Sequence, residues 1–255
     1  MSTQLLDNPY FLFALCFLTL WLSAQGGTYL RKRHAERGAE EHEDLSVILN
    51  ATLTLLALVI GFTFAMATGR YDQRKNYEEA EANAIGTEYV RIRVLPTTDA
   101  ERARNLLKSY LAQRILFYTS HDKRQLEQIN SDTARLQEDL WLIVQGPAIA
   151  QPTPVAALTL SGMNDVLNSQ SYTQASWWNR IPIGAWVLMI ALGMFCNFLF
   201  GYNAHLVGRR LLFIGLPFIV AVAFFLLAEL DSPRSGIIKV HPENLESLSV
   251  SLCTP

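Results

Sequence analysis

The residues with the clearest capacity for chemistry form a ridge of large side chains. Thr54, Leu58, Phe62 and Met66 recur every fourth position of an apolar stretch, so they share one face of a helix. The neighbouring ridge is small: Ala57, Gly61, Ala65 and Gly69 let another helix backbone approach closely. Copies of such a helix, gathered with the large ridge about an axis, could pass an ion, although the spacing alone suits an ordinary helix of a monomeric bundle better. His34 and His42, with Glu36, Glu40, Glu41, Glu43 and Asp44, have the donor types for a divalent metal. No pair of histidines one helical turn apart fixes them, and a solvated loop is the preferred reading. Glu78, Glu79, Glu81 and Glu88 could hold a cation but read more simply as a solvent-facing side. Glu229, near the end of the last apolar block, could snorkel or pair with a basic residue, and Asn197 could hydrogen-bond across helices. No nucleophile–base set and no phosphate-cradling glycine loop is present, so neither an enzyme nor a cofactor is expected.

These residues need elements to hold them, and the distribution of hydrophobicity supplies those elements. Half of the 255 residues are hydrophobic (50%), concentrated in four blocks that the charged residues avoid. Pro9 to Leu30 forms the first, kept as a helix rather than a cleaved signal because no basic segment precedes it. Leu45 to Thr68 is almost purely apolar, long enough at 1.5 Å per residue to cross a core of about 30 Å. The third and fourth blocks cover Ile183 to Tyr202 and Leu211 to Leu230, the latter with Gly215 and Pro217 as a candidate kink. Trp177, Trp178 and Trp186 stand where interfacial aromatics are favoured. A net charge of -2 with no concentrated basic face gives no reason to expect nucleic acid. Cys16, Cys196 and Cys253 make neither a disulfide framework nor a zinc spacing.

Between the second and third blocks the pattern is helical and amphipathic. The second helix runs on past Arg70 with alternating charges until Pro96. Thr98 with Glu101 has the signature of a capping box for the next helix, whose buried stripe is Leu107, Leu111, Ile115 and Tyr118. Leu126, Ile129, Thr133, Leu136, Leu140 and Ile143 then form a four-three seam, which suits packing either within a subunit or between subunits. Gly146-Pro147 and Pro152-Thr153-Pro154 are expected to break the chain before a further helix through Leu160, Met163 and Leu167. The tail from Ser235 to Pro255 alternates apolar and polar residues and is a candidate to wrap a neighbour. The expected fold is therefore all-α: four transmembrane helices with a helical extramembrane domain between the second and third. The divisions fall at residues 1–68, 69–181, 182–230 and 231–255.

Gly61-Phe62, seven residues, then Arg70-Tyr71 resembles the second transmembrane helix of bestrophins. Glu229-Leu230-Asp231-Ser232-Pro233-Arg234-Ser235-Gly236 resembles the acidic-Pro-Phe-Gly segment after the final bestrophin helix. The whole chain is similar to the bestrophin-like family of bacterial and plant membrane proteins. Glu81-Ala82-Asn83-Ala84-Ile85-Gly86, Asn179-Arg180-Ile181-Pro182 and Leu230-Asp231-Ser232-Pro233 carry that likeness. The resemblance implies a homo-oligomer, a pentamer, in the cell membrane (for a bacterial member, the inner membrane), conducting small anions through a pore lined by Thr54, Leu58 and Phe62. Arg70, Arg74 and Lys75 would stand at its mouth and raise the local anion concentration. Ala57, Gly61, Ala65 and Gly69 would pack neighbouring helices. Thr54 replaces the aliphatic residue typical of animal bestrophins and Arg234 replaces the aromatic of Pro-Phe-Gly. The acidic calcium clasp is missing, since Ile237-Ile238-Lys239-Val240 follows Gly236, so calcium gating is not expected.

Orientation is read two ways. Arg31, Lys32, Arg33, Arg37, Arg209 and Arg210 in the first and third loops outnumber Arg234 and Lys239 in the tail, which puts both termini outside the cytoplasm. The resemblance implies the reverse. A second functional class also fits the sequence: a non-conducting membrane scaffold or sensor acting through its helical middle domain.

Overall fold

The computed structural model describes residues 9–33, 40–203, 210–234 and 236–253. Among them lie eight α-helices and no strand: α1 Pro9–Arg33, α2 Glu40–Arg91, α3 Thr97–Thr119, α4 Lys123–Ala150, α5 Pro154–Trp178, α6 Ile183–Asn203, α7 Arg210–Asp231 and α8 Glu243–Cys253. Among the described residues, four helices are long and apolar enough to cross a membrane. The chain divides into two compact units, Met1–Gly69 with Arg180–Ile238 and Arg70–Asn179 with Lys239–Pro255. The first, which contains the apolar spans, is the membrane unit. The second is the extramembrane unit.

In the membrane unit, helices meet through small residues, because lipid tails are as apolar as leucine and only close packing favours association. Gly27 of α1 and Gly201 of α6 carry the tightest approach. A Cβ at 27 would come 2.7 Å from the backbone nitrogen of Tyr202, and one at 201 would come 2.8 Å from the carbonyl carbon of Ala24. Ser23 donates to the carbonyl of Met194 across the same contact, at 2.7 Å. Phe13 of α1 meets Phe218 and Phe225 of α7 edge-on, with ring centroids 6.0 and 5.8 Å apart. Pro217 lies within α7, which runs through it. Asn197, expected to reach a neighbouring helix, donates instead to the carbonyl of Gly193 in its own helix, at 2.8 Å. One turn back is the nearest acceptor for a short amide.

The extramembrane unit has an apolar core. Ile85 and Ile92 come from the α2 side, Leu107, Tyr110 and Phe117 from α3, Leu140 and Val144 from α4, and Met163 and Val166 from α5. The four-three seam of α4 packs into this core within the protomer, with Ile129, Thr133, Leu140 and Ile143 buried. Trp177 is also part of the core rather than an interfacial anchor, its ring 5.0 Å from Phe117 and 5.3 Å from Tyr118, whereas Trp178 is exposed.

Three local expectations change. No capping box starts α3; its N-cap is Pro96, without a side-chain cap, and Ala100 bonds back to the Pro96 carbonyl at 2.8 Å. Pro147 does not break the chain but sits inside α4, since its fixed φ is helical and the ladder resumes with Gln151 donating to the Pro147 carbonyl at 2.9 Å. The next helix then begins at a Thr153 cap, whose hydroxyl accepts from Ala156, with Pro154 in the first turn. The tail, finally, docks on its own chain: α8 buries Leu245 and packs Leu248 against Gly86.

Candidate functional site

The length of α2 follows from its sequence, which has no proline between Glu40 and Arg91 and continuous apolar or amphipathic patterning. In the membrane unit its buried positions are Leu49, Leu56, Thr63 and Ala67, a narrow stripe. Nearly everything else faces outward. Leu58 is 54% and Phe62 65% exposed, and Thr54, whose hydroxyl bonds to the Asn50 carbonyl at 2.8 Å, is exposed beside them. The small ridge of Ala57, Gly61, Ala65 and Gly69 is exposed too, and a Cβ at 61 or 69 would meet nothing within 4 Å. Backbone approaches backbone at Gly27 and Gly201 instead, and among the described residues nothing covers the glycines of the α2 ridge.

The basic residues separate. Lys75 is exposed and Arg70 partly buried. Arg74 cannot raise the ion concentration at a mouth, because it is buried at 1% exposure and donates to the carbonyls of Ser176 and Asn179 at 3.3 and 3.2 Å. Those carbonyls close α5, where the helix dipole favours a cation and backbone acceptors lack donors. Asp72 and Glu79 are exposed on the same stretch of α2.

The acidic run departs most from expectation. Glu79 faces solvent, but Glu78, Glu81 and Glu88 are buried. Glu81 pairs with Arg114 through Nε and Nη2 and also accepts from Thr173 at 3.0 Å and Tyr118 at 3.4 Å. Burial works against the charge of Arg114 and Glu81 outweighs it, so the guanidinium lies above its ordinary pKa. Burial first, and Glu81 second, also push the Tyr110 and Tyr118 hydroxyls up, which keeps both neutral. Glu78 accepts from the backbone of Asn244 and Leu245 at 3.0 and 2.9 Å, capping the N-terminus of α8. The signal was present: the 3.6-residue phase of Leu56, Thr63 and Ala67, carried forward, passes through Arg74, Glu78, Glu81, Ile85, Glu88 and Ile92.

In the membrane unit, the two segments that follow the resemblance meet. Asp231 accepts from the backbone of Ile181 at 2.8 Å, joining Leu230-Asp231-Ser232-Pro233 to Asn179-Arg180-Ile181-Pro182. Glu229 is buried. It accepts from the backbone of Ile237 and Ile238, at 2.5 and 3.3 Å, and folds the turn at Gly236. Gly236 has φ +100°, and a Cβ there would strike the Glu229 carboxyl, so both conformation and space require glycine. Among the described residues no group of three or more His, Cys, Asp or Glu is placed to hold a metal; His34 and Glu36, and the side chains of Glu40, Glu41, His42 and Glu43, lie outside them.

An all-α, multi-pass membrane protein with a helical extramembrane unit is the class these features define. Residues 16–245 match the Bestrophin-like domain, and the chain belongs to that family. Its fold is similar to that of a bestrophin homologue from Klebsiella pneumoniae carrying a tryptophan-to-alanine substitution, with a TM-score of 0.69 at 11% identity over 94% of this chain and 95% of that one. A second structure of the Klebsiella pneumoniae homologue gives a TM-score of 0.64 at 13% identity, covering 95% of each chain. A structure described only as a membrane protein with a proline-to-alanine substitution gives 0.67 at 12% identity, over 96% and 97%. No curated protein matches the sequence.

Proposed function

We propose that the protein is a homo-oligomeric channel for small anions, a pentamer in the cell membrane, with α2 lining the pore through Thr54, Leu58 and Phe62. The supporting observation is the uncovered large ridge, with Leu58 and Phe62 more than half exposed in a helix long enough to span the bilayer. Lipid can cover one side of such a helix and other copies the rest, through Ala57, Gly61, Ala65 and Gly69. A ring of Phe62 and Leu58 would be apolar and narrow enough to gate by dewetting, with aromatic edges offering partial positive charge to an anion. Arg70 and Lys75 would raise the anion concentration nearby, with Arg74 no longer among them.

A second reading, a cation-conducting pore, draws on one observation: Asp72 and Glu79 are exposed on α2 while Arg74 is buried. Reversal potentials of the purified protein in a bilayer with a potassium chloride gradient separate the two by sign. Phe62→Ala is expected to raise conductance several-fold without changing that sign, because it removes a dewetted constriction. No current of either sign from a well-folded oligomer sinks the channel reading and leaves the scaffold or sensor.

A further inference from the structure

One carboxyl group takes no part in the roles above. Glu88, on the extramembrane part of α2, is fully buried, and among the described residues neither of its carboxyl oxygens has a hydrogen-bond partner. It faces Gly162 of α5. A Cβ at 162 would overlap Oε2 of Glu88 and lie 2.5 Å from Nη1 of Arg91, so the missing side chain makes the room that the carboxyl and the guanidinium occupy. An ionised carboxylate without a donor is strongly disfavoured in such a place, whereas a neutral carboxyl tolerates it far better.

The charges around it are few. Arg91 comes from its own helix, and Asp165 acts on it from α5, one turn beyond Gly162. From α3, Arg104 and Lys108 lie over the ring of the adjacent Tyr89, 5.5 and 5.8 Å from its centroid. Glu81, two turns back along α2, is paired with Arg114 of α3. Burial raises the Glu88 carboxyl most, Arg91 lowers it and Asp165 raises it, leaving it pushed up to about 8.

We propose that Glu88 is a proton-operated latch between α2 and α5: protonated, it lets the helices close at Gly162; ionised, it loosens that contact. The proton passes to solvent and no other reactant is involved. The inference stands apart from the channel reading, since it concerns packing within the extramembrane unit.

The direction in pH follows from the carboxyl lying above its ordinary value of 4.5 when folded. The folded state then binds the proton more tightly. The contact is fully stabilised below the ordinary value, weakens as pH rises toward about 8, and changes no further above it. Amide exchange across residues 159–166 of full-length protein in nanodiscs, corrected for the intrinsic pH effect, reads this directly. Protection in the wild type should fall up to about tenfold per pH unit between roughly pH 6 and pH 8, while Glu88→Gln, neutral throughout, should stay flat. An equal fall in Glu88→Gln overturns the proposal. Should that variant fail to fold, the infrared stretch of a protonated carboxyl provides the second measurement. Its titration midpoint should move down in Asp165→Asn and up in Arg91→Gln, and a midpoint indifferent to both changes overturns it as well.

Discussion

The membrane unit and the extramembrane unit solve helix packing by opposite means. In the first, the tight contact between α1 and α6 rests on glycines, with Gly27 and Gly201 bringing backbone against backbone, and on aromatic rings between α1 and α7. In the second, charges are buried as well, with Glu81, Arg114, Glu78 and Arg74 all under 3% exposed. Water explains the difference. Helices outside the bilayer gain free energy from burying apolar surface and can carry a few fully paired polar groups for specificity. Helices within it gain nothing by exchanging lipid for leucine, so they associate by fit.

The contrast can be tested where it is sharpest. Gly201→Val sets a branched side chain against the backbone near Ala24, where nothing flexible can yield. Loss of the folded protein is expected, seen as aggregation in size-exclusion chromatography; a normal elution profile would break the backbone-contact account. Glu81→Ala leaves Arg114 buried without its counter-charge, and a loss of about 3–5 kcal/mol is expected from chemical unfolding. A loss below about 1 kcal/mol would mean that the pair contributes nothing beyond surface electrostatics. Glu78→Ala should be milder, about 1–3 kcal/mol, and should show itself locally as faster amide exchange in α8, because the freed donors are the first amides of that helix. Equal exchange in α8 before and after the change would show that Leu245 and Leu248 hold the tail unaided.

Much of the fold was legible in the residue pattern. Four apolar blocks gave the spans, and the segments from Leu107 to Tyr118 and from Leu126 to Ile143 gave helices whose apolar stripes pack on the core, with Ile115, Leu126 and Leu136 only partly buried. The acidic run on α2 was misread because carboxylates are usually solvated, and composition outweighed phase. Arg114 gave no warning on its own, since a lone arginine in an amphipathic helix becomes a core residue only when a carboxylate from a distant turn arrives opposite it.

The sequence by itself determined the helices, their membrane-crossing lengths and the ridge on which Thr54, Leu58 and Phe62 stand, because each depends on neighbours a few residues away along one chain. The tertiary structure alone decided that Arg74 closes α5 rather than facing ions, that Glu88 lies against Gly162, and that Asp231 ties itself to Ile181. Those pairings join residues far apart in sequence, and whether a charge meets water or a partner is settled only when separate helices come together.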